Sequence, residues 1–124
     1  MIRNLGHISI RTRDIELSTK FYRDILGIPF SRREETERFY VVFLQLGDTE
    51  IELLQLKNGE YEKRADGPVD HMAFFVEDLD AAMQKLKEHQ VVVLSDTVRE
   101  VFGWRVMFVQ GPDGERIELM EVIK

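Results

Sequence analysis

The sequence predicts an α+β fold built from two βαβββ modules. Three observations predict it: an internal repeat, strands whose apolar residues alternate, and helices with a one-sided apolar stripe. The repeat organises the rest. Gly6-His7-Ile8-Ser9-Ile10-Arg11-Thr12-Arg13-Asp14-Ile15 matches Asp70-His71-Met72-Ala73-Phe74-Phe75-Val76-Glu77-Asp78-Leu79, each a His-led alternating strand with an Asp at the same offset. Phe43-Leu44-Gln45, Gly47-Asp48 and Ile51-Glu52-Leu53 match Phe108-Val109-Gln110, Asp113-Gly114 and Ile117-Glu118-Leu119. His and Glu stand 45 residues apart in the first half and 47 in the second, so the halves align almost without gaps. A duplicated module follows, with module one at residues 1–57, a connector at 58–69 and module two at 70–124, forming a single domain.

Within each module the order reads strand, helix, then several strands. Asp14 and Asp78 suit helix N-caps, because a carboxylate there accepts from the free N–H groups of the first turn. The first helix carries Leu17, Phe21, Tyr22 and Ile25 on one side and stops at Gly27, a suitable residue for a left-handed helix end. The second places Leu79, Ala82, Met83 and Leu86 at i, i+3, i+4 and i+7. Further strands are expected at residues 28–33, 39–46, 50–56, 91–94, 104–110 and 115–122, with Gly47-Asp48 and Asp113-Gly114 as turns. Loops 31–38 and 95–103 are expected to flank a cavity.

Composition narrows the function. The 124 residues are 44% hydrophobic and 32% charged, an ordinary balance for a soluble globular domain. No apolar run approaches the roughly 20 residues that span a bilayer, and the first residues lack the pattern of a secretory signal, so a cytoplasmic protein is expected. A net charge of −6 argues against nucleic acid or anionic membrane as partner and favours a small-molecule substrate. There is no cysteine, which excludes disulfides, thiolate nucleophiles and thiolate metal sites.

Strand parity then picks out candidate ligands. In the first strand Ile8 and Ile10 share one face and His7, Ser9 and Arg11 the other; in its repeat, Met72, Phe74 and Val76 oppose His71, Ala73 and Phe75. The closing strands separate Ile51 and Leu53 from Glu52 and Leu54, and Ile117 and Leu119 from Glu118 and Met120. A carboxylate among large aliphatics in an interior strand is costly to desolvate unless a cation or hydrogen bonds offset the loss. Taken singly, each His or Glu is more readily a solvated strand residue. Taken together, His7, Glu52, His71 and Glu118 occupy corresponding repeat positions and point to a shared cation, for which imidazole and carboxylate suit Zn, Ni, Co, Mn or Fe. His89 has no repeat counterpart and reads as surface.

These motifs resemble the vicinal oxygen chelate superfamily (glyoxalase, bleomycin resistance protein and dioxygenase), and within it bacterial glyoxalase I. The resemblance spans essentially the whole chain: both His strands, Phe21-Tyr22 and Leu26-Gly27 at the end of the first helix, both Ile-Glu-Leu strands, and the Pro112-Asp113-Gly114 turn. It implies a curved mixed sheet around one divalent metal per site, with Ni or Zn first and Co, Mn or Fe as alternatives. The implied ligands are His7, Glu52, His71 and Glu118, brought together within a chain or across a homodimer of exchanged modules. It further implies lyase or isomerase chemistry on an α-oxo, hemithioacetal-like thiol adduct through a metal-bound enediolate. Glu118 is then the base, Glu52 the second carboxylate, and Arg11 the substrate-binding arginine. The chain departs from the glutathione enzymes at Leu56, where they carry Asn, and in its short connector. Other readings are a methylmalonyl-CoA epimerase, suggested by Asp48-Thr49-Glu50-Ile51-Glu52-Leu53-Leu54, a fosfomycin-type thiol transferase, an extradiol dioxygenase, and a metal-free antibiotic-binding protein with Phe39, Phe102 and Trp104 lining its pocket.

Overall fold

The computed structural model describes residues 1–63 and 67–124; residues 64–66 of the expected connector lie outside the described part. The chain divides into two compact units, Met1–Lys63 and Arg64–Lys124. The first contains β1 (His7–Arg11), α1 (Ile15–Lys20) running on into a π-helical turn (Phe21–Ile25), β2 (Phe30–Glu35), β3 (Phe39–Leu46) and β4 (Thr49–Leu56). The second contains β5 (Met72–Phe75), α2 (Leu79–Glu88), β6 (Arg99–Val101), β7 (Trp104–Gln110) and β8 (Arg116–Val122). Each unit is a four-stranded mixed sheet, ordered β1-β4-β3-β2 and β5-β8-β7-β6. The βαβββ arrangement and the α+β class expected from the repeat are both present.

The topology explains why each module closes on its Glu strand. The helix carries the chain from the first strand to the far edge of the sheet, and three antiparallel strands return, so the last strand pairs in parallel with the first. β4 and β8 therefore have neighbours on both sides. Their helix-facing residues Ile51, Leu53, Ile117 and Leu119 are almost completely buried, as are Val42, Leu44 and Val109 from the adjoining strands. Each such side chain contributes on the order of 1.5–3 kcal/mol by leaving water.

Equivalent hydrogen bonds dock both helices. The Asp14 carboxylate accepts from the N–H groups of Glu16 and Leu17, and that of Asp78 from Ala81 N–H. The first donor in each helix is satisfied by the sheet: Ile15 N–H donates to Gln55 Oε1 at 2.8 Å and Leu79 N–H to Glu121 Oε1 at 2.9 Å. Gln55 and Glu121 each stand three residues beyond the Glu of their module.

Three expectations need correction. In the first helix the inward stripe is Ile15, Ser18, Thr19 and Tyr22, whereas Leu17 is 55% exposed. The Asp14 cap turns Ile15 toward the sheet, which puts Leu17 about 200° away. Ser18 and Thr19 can be buried there, and the Thr19 hydroxyl donates to Ile15 O at 2.6 Å. The wider turn that follows buries Phe21 and Tyr22 together as an edge-to-face pair.

Residues 91–94 are not a strand. Val93 makes one bridge to Val109, and the edge strand is β6, within the segment expected to be a loop. The outer edge of β7 is shared, its end near Phe108 and Gln110 bonding Val92 and Leu94 and its start near Trp104 bonding β6. Likewise β2 starts at Phe30 rather than at residue 28, because Ile28 is drawn into the core with its N–H on Tyr22 O.

The β6–β7 hairpin turns on Phe102 and Gly103, both at positive φ (54° and 84°). This handedness matches strand twist, but a bulky side chain tolerates it poorly. Among the described residues no helix is long and apolar enough to cross a membrane.

Urea denaturation should show Leu53→Ala losing about 2–5 kcal/mol of stability and Leu17→Ala within about 0.5 kcal/mol of the parent. The reverse order would contradict the helix orientation. In the same assay Phe102→Asn should gain about 1 kcal/mol through relief of the left-handed backbone. A loss there would mean that the Phe102 ring makes contacts outweighing its strain.

Candidate metal centre

The first sheet places His7, Ser9 and Arg11 of β1 on the face opposite the helix, in register with Glu50, Glu52 and Leu54 of β4. Phe43 of β3 is the partner of Glu52 on its other side. His7 Nε2 lies 3.8 Å from Glu52 Oε1, and the Ser9 hydroxyl donates to the same oxygen at 2.5 Å. The His7 ring stands edge-on to Phe43, with ring centroids 6.3 Å apart. Over the same ring sits the Arg32 guanidinium, 3.9 Å from its centroid, and Arg32 Nη1 donates to Glu50 at 2.6 Å.

The second sheet repeats this arrangement with different neighbours. Glu118 of β8 lies between Ala73 of β5 and Phe108 of β7. His71 Nε2 is 3.1 Å from Glu118 Oε1, and the ring is edge-on to Phe108 at 5.0 Å. An arginine again covers the phenylalanine, here Arg116 at 5.0 Å from the ring centroid. Arg116 Nη1 also donates to Asp70 Oδ2 at 2.8 Å, and that oxygen lies 2.7 Å from His71 Nδ1. The hydrogen bond to His71 and the charge of Arg116 hold the Asp70 carboxyl below the usual carboxylate range.

Both carboxylates are shielded to the same degree, each side chain 16% exposed, while His7 and His71 are 48% and 30% exposed. Each module thus offers one imidazole nitrogen and one carboxylate oxygen facing each other on the sheet face away from the helix. Among the described residues, no group of three or more His, Asp or Glu side chains has the geometry to hold a metal.

The pairs are of the right kind for a metal. Two donors, each about 2.1 Å from a common cation and subtending roughly 90–110°, stand about 3.0–3.4 Å apart. The His71–Glu118 separation falls inside that range and the His7–Glu52 separation a few tenths of an ångström beyond it.

The remaining candidates divide. Arg11 shares the face of His7, stacks over the Phe39 ring at 5.0 Å, and has its Nε buried with no hydrogen-bond partner among the described residues. Phe75 and Trp104 form an edge-on pair on the Glu118 face, and Phe102 packs against Trp104 at the hairpin tip. His89 is exposed, ends α2, and bonds Lys85 O through Nδ1. Sequence reasoning passed over Ser9, Asp70, Arg116 and the phenylalanine pair. Their signals were present, since Ser9 shares the parity of His7, Asp70 adjoins His71, and Phe43 and Phe108 are repeat equivalents.

Comparison with known proteins agrees with this architecture. The chain is 31% identical over 126 residues to mitochondrial methylmalonyl-CoA epimerase of Mus musculus, covering 93% of this chain and 71% of that protein. It is 30% identical over 123 residues to lactoylglutathione lyase of Neisseria meningitidis, covering 94% and 89%. A crystal structure of a glyoxalase family protein from Bacillus cereus shares the fold with a TM-score of 0.85 at 18% identity, covering 100% of this chain and 97% of that one. Residues 4–119 match the profile of the Glyoxalase/Bleomycin resistance protein/Dioxygenase superfamily, and the chain belongs to that superfamily.

Proposed function

We propose that this protein is a metal-dependent lyase or isomerase of the glyoxalase I type, moving a proton between adjacent carbons of an α-oxo, thiol-adduct substrate. The observation that carries this reading is the doubled pair, His7 with Glu52 and His71 with Glu118, each imidazole facing a shielded carboxylate on the sheet face away from the helix. Members of the superfamily typically bind a divalent metal and small-molecule substrates.

In this reading the four side chains hold one divalent cation, Ni or Zn first, with the two pairs meeting within a chain or across exchanged modules of a homodimer. The cation, when bound, supplies Lewis-acid stabilisation of the negative charge that develops on two neighbouring substrate oxygens. Glu118 removes the proton from one carbon as general base and returns it to the next as general acid. Glu52, fixed by the Ser9 hydroxyl, serves as the second carboxylate. Arg11, on the face of His7 with its guanidinium stacked on Phe39, is the side chain that would bind a substrate carboxylate.

A second reading shares the residues and changes the substrate. The chain is 31% identical to methylmalonyl-CoA epimerase and 30% to lactoylglutathione lyase, and Leu56 stands where the glutathione enzymes carry Asn. Proton transfer next to a thioester carbonyl makes the same demands on Glu118 and the cation.

Elemental analysis of the purified protein should find about one transition metal per site. His71→Ala should lose it. Metal-loaded protein should then turn over methylglyoxal with glutathione, and Glu118→Gln should lower kcat by about 10²–10⁴-fold. Turnover of a racemisable malonyl-CoA ester in place of the hemithioacetal would move the assignment to the epimerase. Failure to bind nickel, zinc, cobalt or manganese would overturn both readings.

A further inference from the structure

The two modules differ in what surrounds their His–Glu pairs, and the differences fall at repeat-equivalent positions. Gly6 precedes His7, whereas Asp70 precedes His71. Glu50 stands two residues before Glu52, whereas Arg116 stands two before Glu118. Ser9 lies beside Glu52, whereas Ala73 lies beside Glu118. Module one therefore grips its carboxylate through the Ser9 hydroxyl, and module two grips its histidine.

That second grip is a chain of contacts. Arg116 Nη1 donates to Asp70 Oδ2 at 2.8 Å, Asp70 Oδ2 lies 2.7 Å from His71 Nδ1, and His71 Nε2 points to Glu118 Oε1 at 3.1 Å. An ionised carboxylate only accepts, so Nδ1 must carry the proton in this contact. By the same rule Nε2 donates to Glu118 while no cation lies between them; a cation held there would take the Nε2 lone pair in place of that proton, with Nδ1–H kept on Asp70. The Asp70 side chain is 69% exposed and would swing freely by itself. Arg116 holds it, and Arg116 is in turn seated over Phe108.

We infer that Asp70, anchored by Arg116, is a positioning residue that commits His71 to ligation through Nε2, a role for which module one has no counterpart. This rests on the metal reading above. Carboxylates in this position hold the ring orientation and raise the basicity of the ligating nitrogen.

Zinc alone is the probe. Chelator competition should show the zinc affinity of Asp70→Ala falling about 10–100-fold below the parent. Asp70→Asn, whose amide oxygen still accepts from Nδ1–H, should retain most of it. Asp78→Ala, which removes the α2 cap of the same module, should lower Tm without moving zinc affinity. In the zinc-loaded parent, ¹⁵N shifts of His71 should mark Nε2 as metal-bound and Nδ1 as protonated. Equal affinity and unchanged shifts in Asp70→Ala would overturn this inference alone, as would a loss in Asp70→Asn as large as in Asp70→Ala. A parent protein that binds no zinc would overturn it together with the metal reading.

Discussion

A carboxylate in an interior strand loses water on both sides, and each module of this protein is arranged around that constraint. Glu52 and Glu118 sit in strands flanked by two neighbours, with side chains 16% exposed. Desolvation of this degree penalises a charge that has no partner nearby. The parallel return of β4 to β1 and of β8 to β5 creates the burial and also supplies the compensation. It brings the histidine that leads the first strand of each module beside the carboxylate of the last. The helix makes this possible by occupying the other face, where Ile51, Leu53, Ile117 and Leu119 form the core. The His–Glu pair takes the opposite face, beside buried Val41 and Phe43 in the first module and buried Val106 and Met120 in the second.

The rings beside the pairs extend the same logic. Phe43 and Phe108 lie next to the carboxylates in register, present a face to an arginine and receive the edge of a histidine. Such contacts fix an imidazole that is itself partly exposed, and they do so without adding competing hydrogen bonds. The frame occurs twice, and the two halves load it differently. One hydroxyl serves Glu52 and one carboxylate serves His71. Glu118 faces His71 and has Ala73, which carries no hydroxyl, beside it in register.

Much of this was legible because it follows from local rules. Asp14 and Asp78 read as caps since a short carboxylate before a helical stripe has one good use, and both perform it. The parity of His7, Glu52, His71 and Glu118 read correctly because strand side chains alternate whatever the tertiary context. The errors arose where apolarity was taken as a guide to burial. Leu17 turned outward while Ser18 and Thr19 turned inward, because cap geometry sets helix phase and helix carbonyls satisfy buried hydroxyls. The valine run at residues 91–93 lost the strand position to Arg99–Val101 because edge pairing on β7 is a competition that composition does not reveal.

By itself, the sequence determined the duplication, the α+β class, the face on which each histidine and glutamate lies, and the exclusion of thiolate chemistry. Those properties depend on repeat spacing, side-chain alternation and residue type, all of which are present in one dimension. Only the tertiary structure decided which atoms meet: Ser9 with Glu52, Asp70 with His71 and Arg116, and an arginine over each phenylalanine. These contacts join residues up to 46 positions apart, and they depend on strand register and rotamer. Register is settled by the packing of the whole sheet against its helix, which no local pattern encodes.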